Sequence, residues 1–313
     1  MAEAITNRRL TKKELILKNL KKNLWLYVMF LPVIVYYILF KYAPMFGIVI
    51  AFKDYNAFKG IWASPWVGFE HFVNFFESPY FWRLIRNTFL ISFYGLIFGF
   101  PAPILLALLL NELKDGLFKK TVQTITYLPH FVSSVVIVSM VMSFLSPSNG
   151  IINNLIVALG GEAHYFMNDP NWFRTVYTTM GIWQGVGWGS IIYLAALTGV
   201  DAELYEACII DGGNRLRQTW HITLPGIAST IIIQLIFRVG NLLSVGSESI
   251  ILMYAPTTYE TADVISTYVY RRGLVEADYS FSTAVGLFNS LIALVLLTTT
   301  NKLAKTFSET SLW

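Results

Sequence analysis

Six long apolar runs constrain this chain more than any other feature of its sequence. They occupy residues 24–50, 84–110, 121–145, 176–200, 226–251 and 281–300. Each run supplies the roughly 20 residues that an α-helix needs to cross the hydrocarbon of a bilayer. Because backbone polar groups in lipid must find partners within the protein, such runs predict helices. We therefore expect an all-α membrane protein with about six transmembrane helices.

The composition excludes several other classes of protein. Charged residues make up 13% of the 313 residues, whereas they make up about a quarter of a soluble chain. One cysteine, Cys208, leaves no partner for an internal disulfide, and the four histidines are scattered along the chain. The sequence also lacks the GxxxxGK[ST] phosphate loop. We expect no metal site, no cofactor bound by this chain and no nucleic-acid partner.

The longest polar, helix-forming connection lies between the fourth and fifth runs, at residues 201–225. Asp201 is a suitable N-cap for a short helix over residues 202–210. Gly212 and the glycine after it predict the end of that helix, because glycine adopts the left-handed conformation without steric cost. Asn214 can cap a second helix, and Pro225 is placed to open the next membrane helix as a first-turn proline. The pattern predicts two short helices that meet at a glycine corner.

The distribution of basic residues predicts the orientation of the chain in the membrane. Lysine and arginine are concentrated in residues 1–23 and in alternate connections, including the 201–225 loop. Cytoplasmic connections carry such an excess, so we expect both termini and the 201–225 loop in the cytoplasm. No linker or internal repeat divides the chain. We therefore expect a basic cytoplasmic tail over residues 1–23 and one transmembrane domain over residues 24–313.

The 201–225 loop also resembles a known motif. Glu206-Ala207-Cys208, then Gly212, then Leu224-Pro225 follow the spacing of the EAA loop in permease subunits of ATP-binding-cassette importers. The resemblance implies the fold of a type I importer permease, with a cytoplasmic coupling helix that docks on a separate ATPase subunit. The residues that it places in coupling are Glu206, Ala207, Cys208, Asp211, Gly212, Leu224 and Pro225.

Shorter motifs extend the resemblance over nearly the whole chain. Residues 52–56, 66–69, 87–88 and 127–130 are similar to the maltose-permease-like family, in its branch of polygalacturonan and complex-oligosaccharide permeases. This implies an oligosaccharide substrate and a bacterial cell membrane as the location. It also implies three kinds of partner: a second, homologous permease, a cytoplasmic ATPase dimer that binds ATP and Mg²⁺, and an extracellular substrate-binding protein.

Polar side chains inside a predicted span are candidates for a translocation path, since they tend to face a wet cavity or the bundle interior. In the fifth span they fall on one helical stripe, formed by Gln234, Arg238, Asn241, Ser244 and Glu248. In the fourth span, Trp183, Gln184 and Trp188 could stack on sugar rings or reach their hydroxyls. The stripe could equally be a polar seam between helices, and the two tryptophans could belong to the core.

Two other classes of function compete with an importer permease. A secondary transporter or channel would explain the spans and the polar stripe, but not the spacing of the EAA loop. Such carriers are often built from inverted repeats, which this sequence does not display. An intramembrane enzyme would need paired acids, a histidine cluster or an activated nucleophile, and no such constellation is visible. The residues therefore favour a permease that performs no chemistry of its own.

Overall fold

The computed structural model of the chain describes residue 13, residues 18–19, residues 21–243 and residues 245–308. Most of the predicted basic tail, and Ser244, lie outside the described residues. The helices before the centre of the chain are α1 Leu24–Phe52, α2 Gly60–Ala63, α3 Glu70–Glu77, α4 Phe81–Glu112, α5 Leu117–Phe131, α6 Ser134–Phe144, α7 Ile151–Ala158 and α8 Pro170–Leu197. Those that follow are α9 Ala202–Ile210, α10 Arg215–Gly226, α11 Ala228–Gly240, α12 Ser247–Met253, α13 Tyr259–Ala262, α14 Ile265–Tyr270 and α15 Tyr279–Ser308.

The expected all-α membrane fold is confirmed. Four helices are long and apolar enough to cross a membrane, namely α1, α4, α8 and α15. The pairs α5–α6 and α10–α11 are each bent, and they bring the total to as many as six crossings if each pair is one span. Within the described ranges the backbone forms no strand, and its one isolated bridge joins Lys53 to Trp66. The prediction of about six spans therefore holds.

Two predicted spans are not the continuous helices that their apolar runs suggested. The run over residues 121–145 bends by 104° between α5 and α6, where Pro129 cannot donate a backbone hydrogen bond and the helix tightens into a 3₁₀ turn. The run over residues 226–251 stops at Gly240 and resumes as α12. Pro225 lies in the first turn of the short helical piece Leu224–Gly226, as predicted, but a bend of 63° separates this piece from α11.

The helices pack unevenly around α8. Helix α8 packs against α4. Their contact buries Ile104 of α4 and Tyr193 of α8 in one cluster with Ile227, which lies at the bend before α11. Helix α15 packs against α11 and against the far end of α1, at residues 46–52. In contrast, no residue of α1 between positions 24 and 45 is buried. The first span thus contacts the rest of the chain almost entirely through one end.

A buried carboxylate holds the segment between α12 and α15 in place. Asp263 is fully buried (0% exposed) and accepts from Arg83 of α4 at 3.2 Å and from Arg271 at 2.8 Å. Thr267 of α14 donates a further hydrogen bond to the same carboxylate at 2.9 Å. Two guanidinium groups therefore compensate the cost of burying one carboxylate. They link α4, through Arg83, to Asp263 before α14 and to Arg271 after it.

The buried side chain of Asn87 extends this arrangement to α8. Its amide donates to the carbonyls of Glu260 and Asp263, at 2.9 and 3.0 Å, and its oxygen accepts from Arg174 of α8 at 2.9 Å. Arg86 pairs with the carboxylate of Glu260 at 2.6 Å, and this hydrogen bond lowers the pKa of the Glu260 carboxyl. One end of the bundle is therefore joined by ionic and amide contacts between α4, α8 and the 260–263 segment.

Replacement of Asp263 should destabilise the protein strongly. Asp263→Ala leaves two half-buried arginines without their carboxylate, and loss of one partner from a buried ion pair costs about 3–5 kcal/mol. We expect a lower unfolding temperature for the detergent-solubilised protein. Glu276→Ala is the matched control, because it removes a carboxylate from the partly exposed Arg272 pair, where the cost is about 1 kcal/mol or less. Equal unfolding temperatures for the two variants would contradict the structural role of Asp263.

Candidate functional site

The 201–225 loop has the predicted construction of two short helices around a glycine corner. Asp201 caps α9 through a hydrogen bond from the N–H of Glu203, and Asn214 caps α10 through one from the N–H of Arg217. Gly212 has a φ of +76°, a conformation that L-residues adopt only with strain. The N–H groups of Gly212 and Gly213 close the end of α9 on the carbonyls of Ile209 and Cys208, which is a Schellman motif.

Side-chain contacts fix the angle between the two short helices. The hydroxyl groups of Tyr205 and Thr223 lie 3.0 Å apart, which joins α9 to the far part of α10. Arg215 pairs with Glu112 at the end of α4, at 3.3 Å. The loop therefore contacts the transmembrane helix α4, through an exposed ion pair, as well as its neighbours in sequence.

The outer surface of this loop is partly apolar. Ile210 and Leu216 flank the corner and are 85% and 80% exposed, and Trp220 lies further along α10 with most of its ring exposed. Of the residues that the resemblance placed in coupling, Glu206, Ala207, Asp211, Gly212 and Pro225 are exposed, whereas Cys208 and Leu224 are half-buried. A large exposed apolar surface beside polar groups is typical of a protein-binding site.

A cavity of about 740 Å³ lies between α4, α8, α11 and the segment that follows α11. Five of the predicted path residues line it: Gln184, Trp188, Gln234, Arg238 and Asn241. Three amides can hydrogen-bond hydroxyl groups as donors and acceptors, and an indole face suits the apolar face of a sugar ring. Arg238 is the one charged side chain among the described residues of the lining.

The other predicted path residues lie elsewhere. Trp183 lines a second, apolar cavity of about 580 Å³ between α6, α7 and α8. Glu248 is exposed on α12 and lies outside both linings, and Ser244 lies outside the described residues. The expected single stripe over residues 234–248 is wrong because α11 ends at Gly240, so that the 100° periodicity of a helix does not extend past that point.

Arg238 combines the two alternatives that the sequence left open, because it lines the cavity and also contacts a neighbouring helix. Its Nη2 donates to the backbone carbonyl of Gly95 in α4, at 3.1 Å. Among the described residues no carboxylate lies within 4.0 Å of its guanidinium group. Gly95 and Gly99 also line the cavity but were not among the predicted residues, although their GxxxG spacing in an apolar run indicates a close helix approach.

Trp188 is held on one side by two rings from the bend between α5 and α6. The imidazole of His130 stacks on its indole, with ring centroids 4.6 Å apart and planes 3° apart, and Phe131 meets it edge-on. Gln184 donates to the carbonyl of Val132 at 3.4 Å. The bend thus orients two side chains of the cavity wall, and the described residues contain no cluster of His, Cys, Asp and Glu that could hold a metal ion.

Comparison with known proteins identifies the family to which these features belong. Residues 99–308 match the family described as binding-protein-dependent transport system inner membrane component. The polygalacturonan/rhamnogalacturonan transport system permease protein YteP of Bacillus subtilis is 47% identical over 311 residues, which are 99% of this chain and 97% of YteP. Protein LplB of the same organism is 47% identical over 94% of this chain and 92% of its own length.

Solved structures give the same result for the fold. A chain from a bacterial ABC transporter involved in the import of the acidic polysaccharide alginate superposes with a TM-score of 0.88 and 46% sequence identity, over 94% of this chain and all of that chain. A bacterial alginate ABC transporter in complex with an alginate pentasaccharide-bound periplasmic protein superposes with a TM-score of 0.87 and 45% identity, over 94% of this chain and 99% of that chain.

Proposed function

This chain belongs to the family of binding-protein-dependent transport system inner membrane components, and we propose that it is the permease subunit of an ATP-driven importer of oligosaccharides. The observation that carries the proposal is the pairing, in one chain, of a polar cavity between the spans with a capped, rigid loop of the EAA type. The cavity offers a path for a polar solute, and the loop offers a surface through which a separate ATPase can move the helices.

An oligosaccharide is the substrate class that best fits the cavity. Its lining combines three amides, five aromatic side chains and one guanidinium group, which together can bind hydroxyl groups, a ring face and an acidic group. YteP is named for polygalacturonan and rhamnogalacturonan, and the superposed transporter imports alginate. Other relatives are named for arabino- and galacto-oligosaccharides, which are oligosaccharides as well.

The ATPase is a separate subunit that meets the 201–225 loop in the cytoplasm. Ile210 and Leu216 provide exposed apolar contacts on either side of the corner, and Glu206 adds a charged one. In this arrangement both termini are cytoplasmic, and ATP and Mg²⁺ bind to the ATPase dimer. Because Arg215 joins the loop to α4 through Glu112, closure of the ATPase dimer is transmitted to a helix that lines the cavity.

A second, homologous permease completes the path. Residues 24–45 of α1 contain no buried side chain, and this long uncovered surface supports a contact with a partner in the membrane. An extracellular substrate-binding protein delivers the sugar, as the superposed alginate complex with its periplasmic protein suggests. The protein therefore works in a multi-subunit assembly in the bacterial cell membrane, and an independent secondary transporter or channel would leave the 201–225 loop without a role.

We expect Gly212→Leu to uncouple transport from ATP hydrolysis. At a φ of +76°, a leucine strains the corner and changes the angle between α9 and α10, at a cost of about 1–2 kcal/mol. The variant should insert into the membrane and assemble, yet lose most ATP-dependent oligosaccharide uptake in proteoliposomes that contain the full complex.

Gly160→Leu is the matched control for this experiment. Gly160 has a similar φ of +87° and open space around it, but it lies between α7 and α8, far along the chain from the 201–225 loop. We expect this variant to transport at close to the wild-type rate. Normal uptake by Gly212→Leu, or equal losses in both variants, would contradict coupling through the corner.

Substitution of Arg238 should separate acidic from neutral substrates. Arg238→Gln keeps hydrogen-bond donors but removes the charge that a uronate carboxylate would contact. A hydrogen bond to a charged group contributes about 1.5–3 kcal/mol, or roughly one to two decades in affinity. We expect competition uptake in proteoliposomes to show a loss of this size for a uronate oligosaccharide and little loss for a neutral one. Unchanged uptake of both sugars would place Arg238 in a seam between helices only.

A further inference from the structure

A π-helical segment lies in the middle of α4, at Gly95–Gly99. Such segments widen an α-helix locally and occur often at functional sites. The carbonyl of Gly95 stands at the start of this segment and accepts the hydrogen bond from Nη2 of Arg238. The contact joins α4 to α11 across the wall of the cavity, and it bonds the guanidinium group to the backbone of α4.

The position of the guanidinium group depends on the absence of a side chain at Gly95. A Cβ atom built there would lie 2.8 Å from Nη2 of Arg238, which is too close for a carbon and a nitrogen that are not bonded. At Gly99 the corresponding distance is 3.5 Å, an ordinary contact. A residue with a Cβ at position 95 therefore requires the end of the Arg238 side chain to shift from the position that it now occupies beside the Gly95 carbonyl.

The hydrogen bond to Gly95 uses part of the donor capacity of Arg238. A guanidinium group has five N–H donors in a fixed fork, and among the described residues no carboxylate lies within salt-bridge distance of it. Arg238 is exposed at the cavity wall, and a carboxylate that enters the cavity can accept a charge-assisted hydrogen bond from it. One hydrogen bond to Gly95 leaves further N–H groups of this guanidinium group to donate to an anion in the cavity.

We propose that Gly95 is a positioning residue that makes Arg238 selective for the acidic groups of the transported sugar. Its carbonyl anchors one nitrogen of the guanidinium group, and its missing side chain leaves the space that this nitrogen occupies. The inference rests on the proposed function and adds to it a residue that sets specificity without contacting the substrate. Binding of a uronate carboxylate is favoured because the ordering of a flexible arginine is already complete.

The test compares uptake of a uronate oligosaccharide and a neutral oligosaccharide by the full complex in proteoliposomes. Gly95→Ala should raise the half-saturating concentration for the uronate about tenfold. The maximal rate and the half-saturating concentration for the neutral sugar should each stay within about twofold. In an Arg238→Gln background, Gly95→Ala should have no further effect, since the group that it displaces is absent.

Gly286→Ala in α15 is the control, because a Cβ at that position meets no atom within 4 Å; it should match the wild type for both sugars. Equal losses of both sugars in Gly95→Ala, or a loss that adds to that of Arg238→Gln, would overturn the inference while leaving the proposed function intact. A wild-type complex that takes up neither sugar would overturn both.

Arg238→Lys provides a second route if Gly95→Ala does not assemble. Lysine keeps the positive charge but has no fork that can bond the Gly95 carbonyl and a carboxylate together. We expect the same selective loss for the uronate, of about tenfold in half-saturating concentration. Uptake of the uronate by Arg238→Lys at wild-type concentrations would show that charge alone is sufficient, and would overturn the positioning role of Gly95.

Discussion

Satisfaction of backbone hydrogen bonds in the membrane is the constraint on which the rest of this structure depends. Unpaired carbonyl and amide groups are costly in hydrocarbon, so that a break in a span is tolerated only where the protein supplies partners or lines a cavity. Side chains supply those partners here. Ser92 donates to the carbonyl of Leu242, Ser266 donates to that of Val245 at 3.0 Å, and Gln184 donates to that of Val132. The breaks in the spans over residues 121–145 and 226–251 are thus stabilised by neighbouring helices, and the second of them borders the cavity.

The two environments of arginine in this protein illustrate how burial decides the role of a charge. Arg83 and Arg271 share the buried carboxylate of Asp263, and this ion-paired cluster holds one end of the bundle together. Arg238 lies at the cavity wall and bonds a backbone carbonyl instead. A paired charge stabilises packing, whereas an uncompensated one is costly and is retained where a ligand can compensate it. The same residue type therefore joins helices through a buried carboxylate in one place and lines the cavity in the other.

The cavity and the 201–225 loop are connected through two helices. Helix α4 contributes the π-helical segment to the cavity and ends at Glu112, which pairs with Arg215 of the loop. Helix α11 carries Arg238 and follows the loop directly, after the bend at Ile227. A change in the angle of the loop consequently acts on both sides of the Arg238–Gly95 contact. The 201–225 loop and the cavity are thus parts of one continuous set of packed helices.

The sequence by itself determined the features that depend on local chemistry. Apolar runs of membrane length specified the all-α class, and the caps at Asp201 and Asn214 with the corner at Gly212 specified the 201–225 loop, because capping and left-handed glycine act over a few neighbouring residues. The tertiary structure alone decided where the spans break and what faces the cavity. Helical periodicity does not show that α11 stops at Gly240, and for this reason it grouped Glu248 with Arg238. Nor does it show that the carbonyl of Gly95 in α4 accepts a hydrogen bond from Arg238 in α11. Contacts between residues far apart in sequence leave no period in either segment.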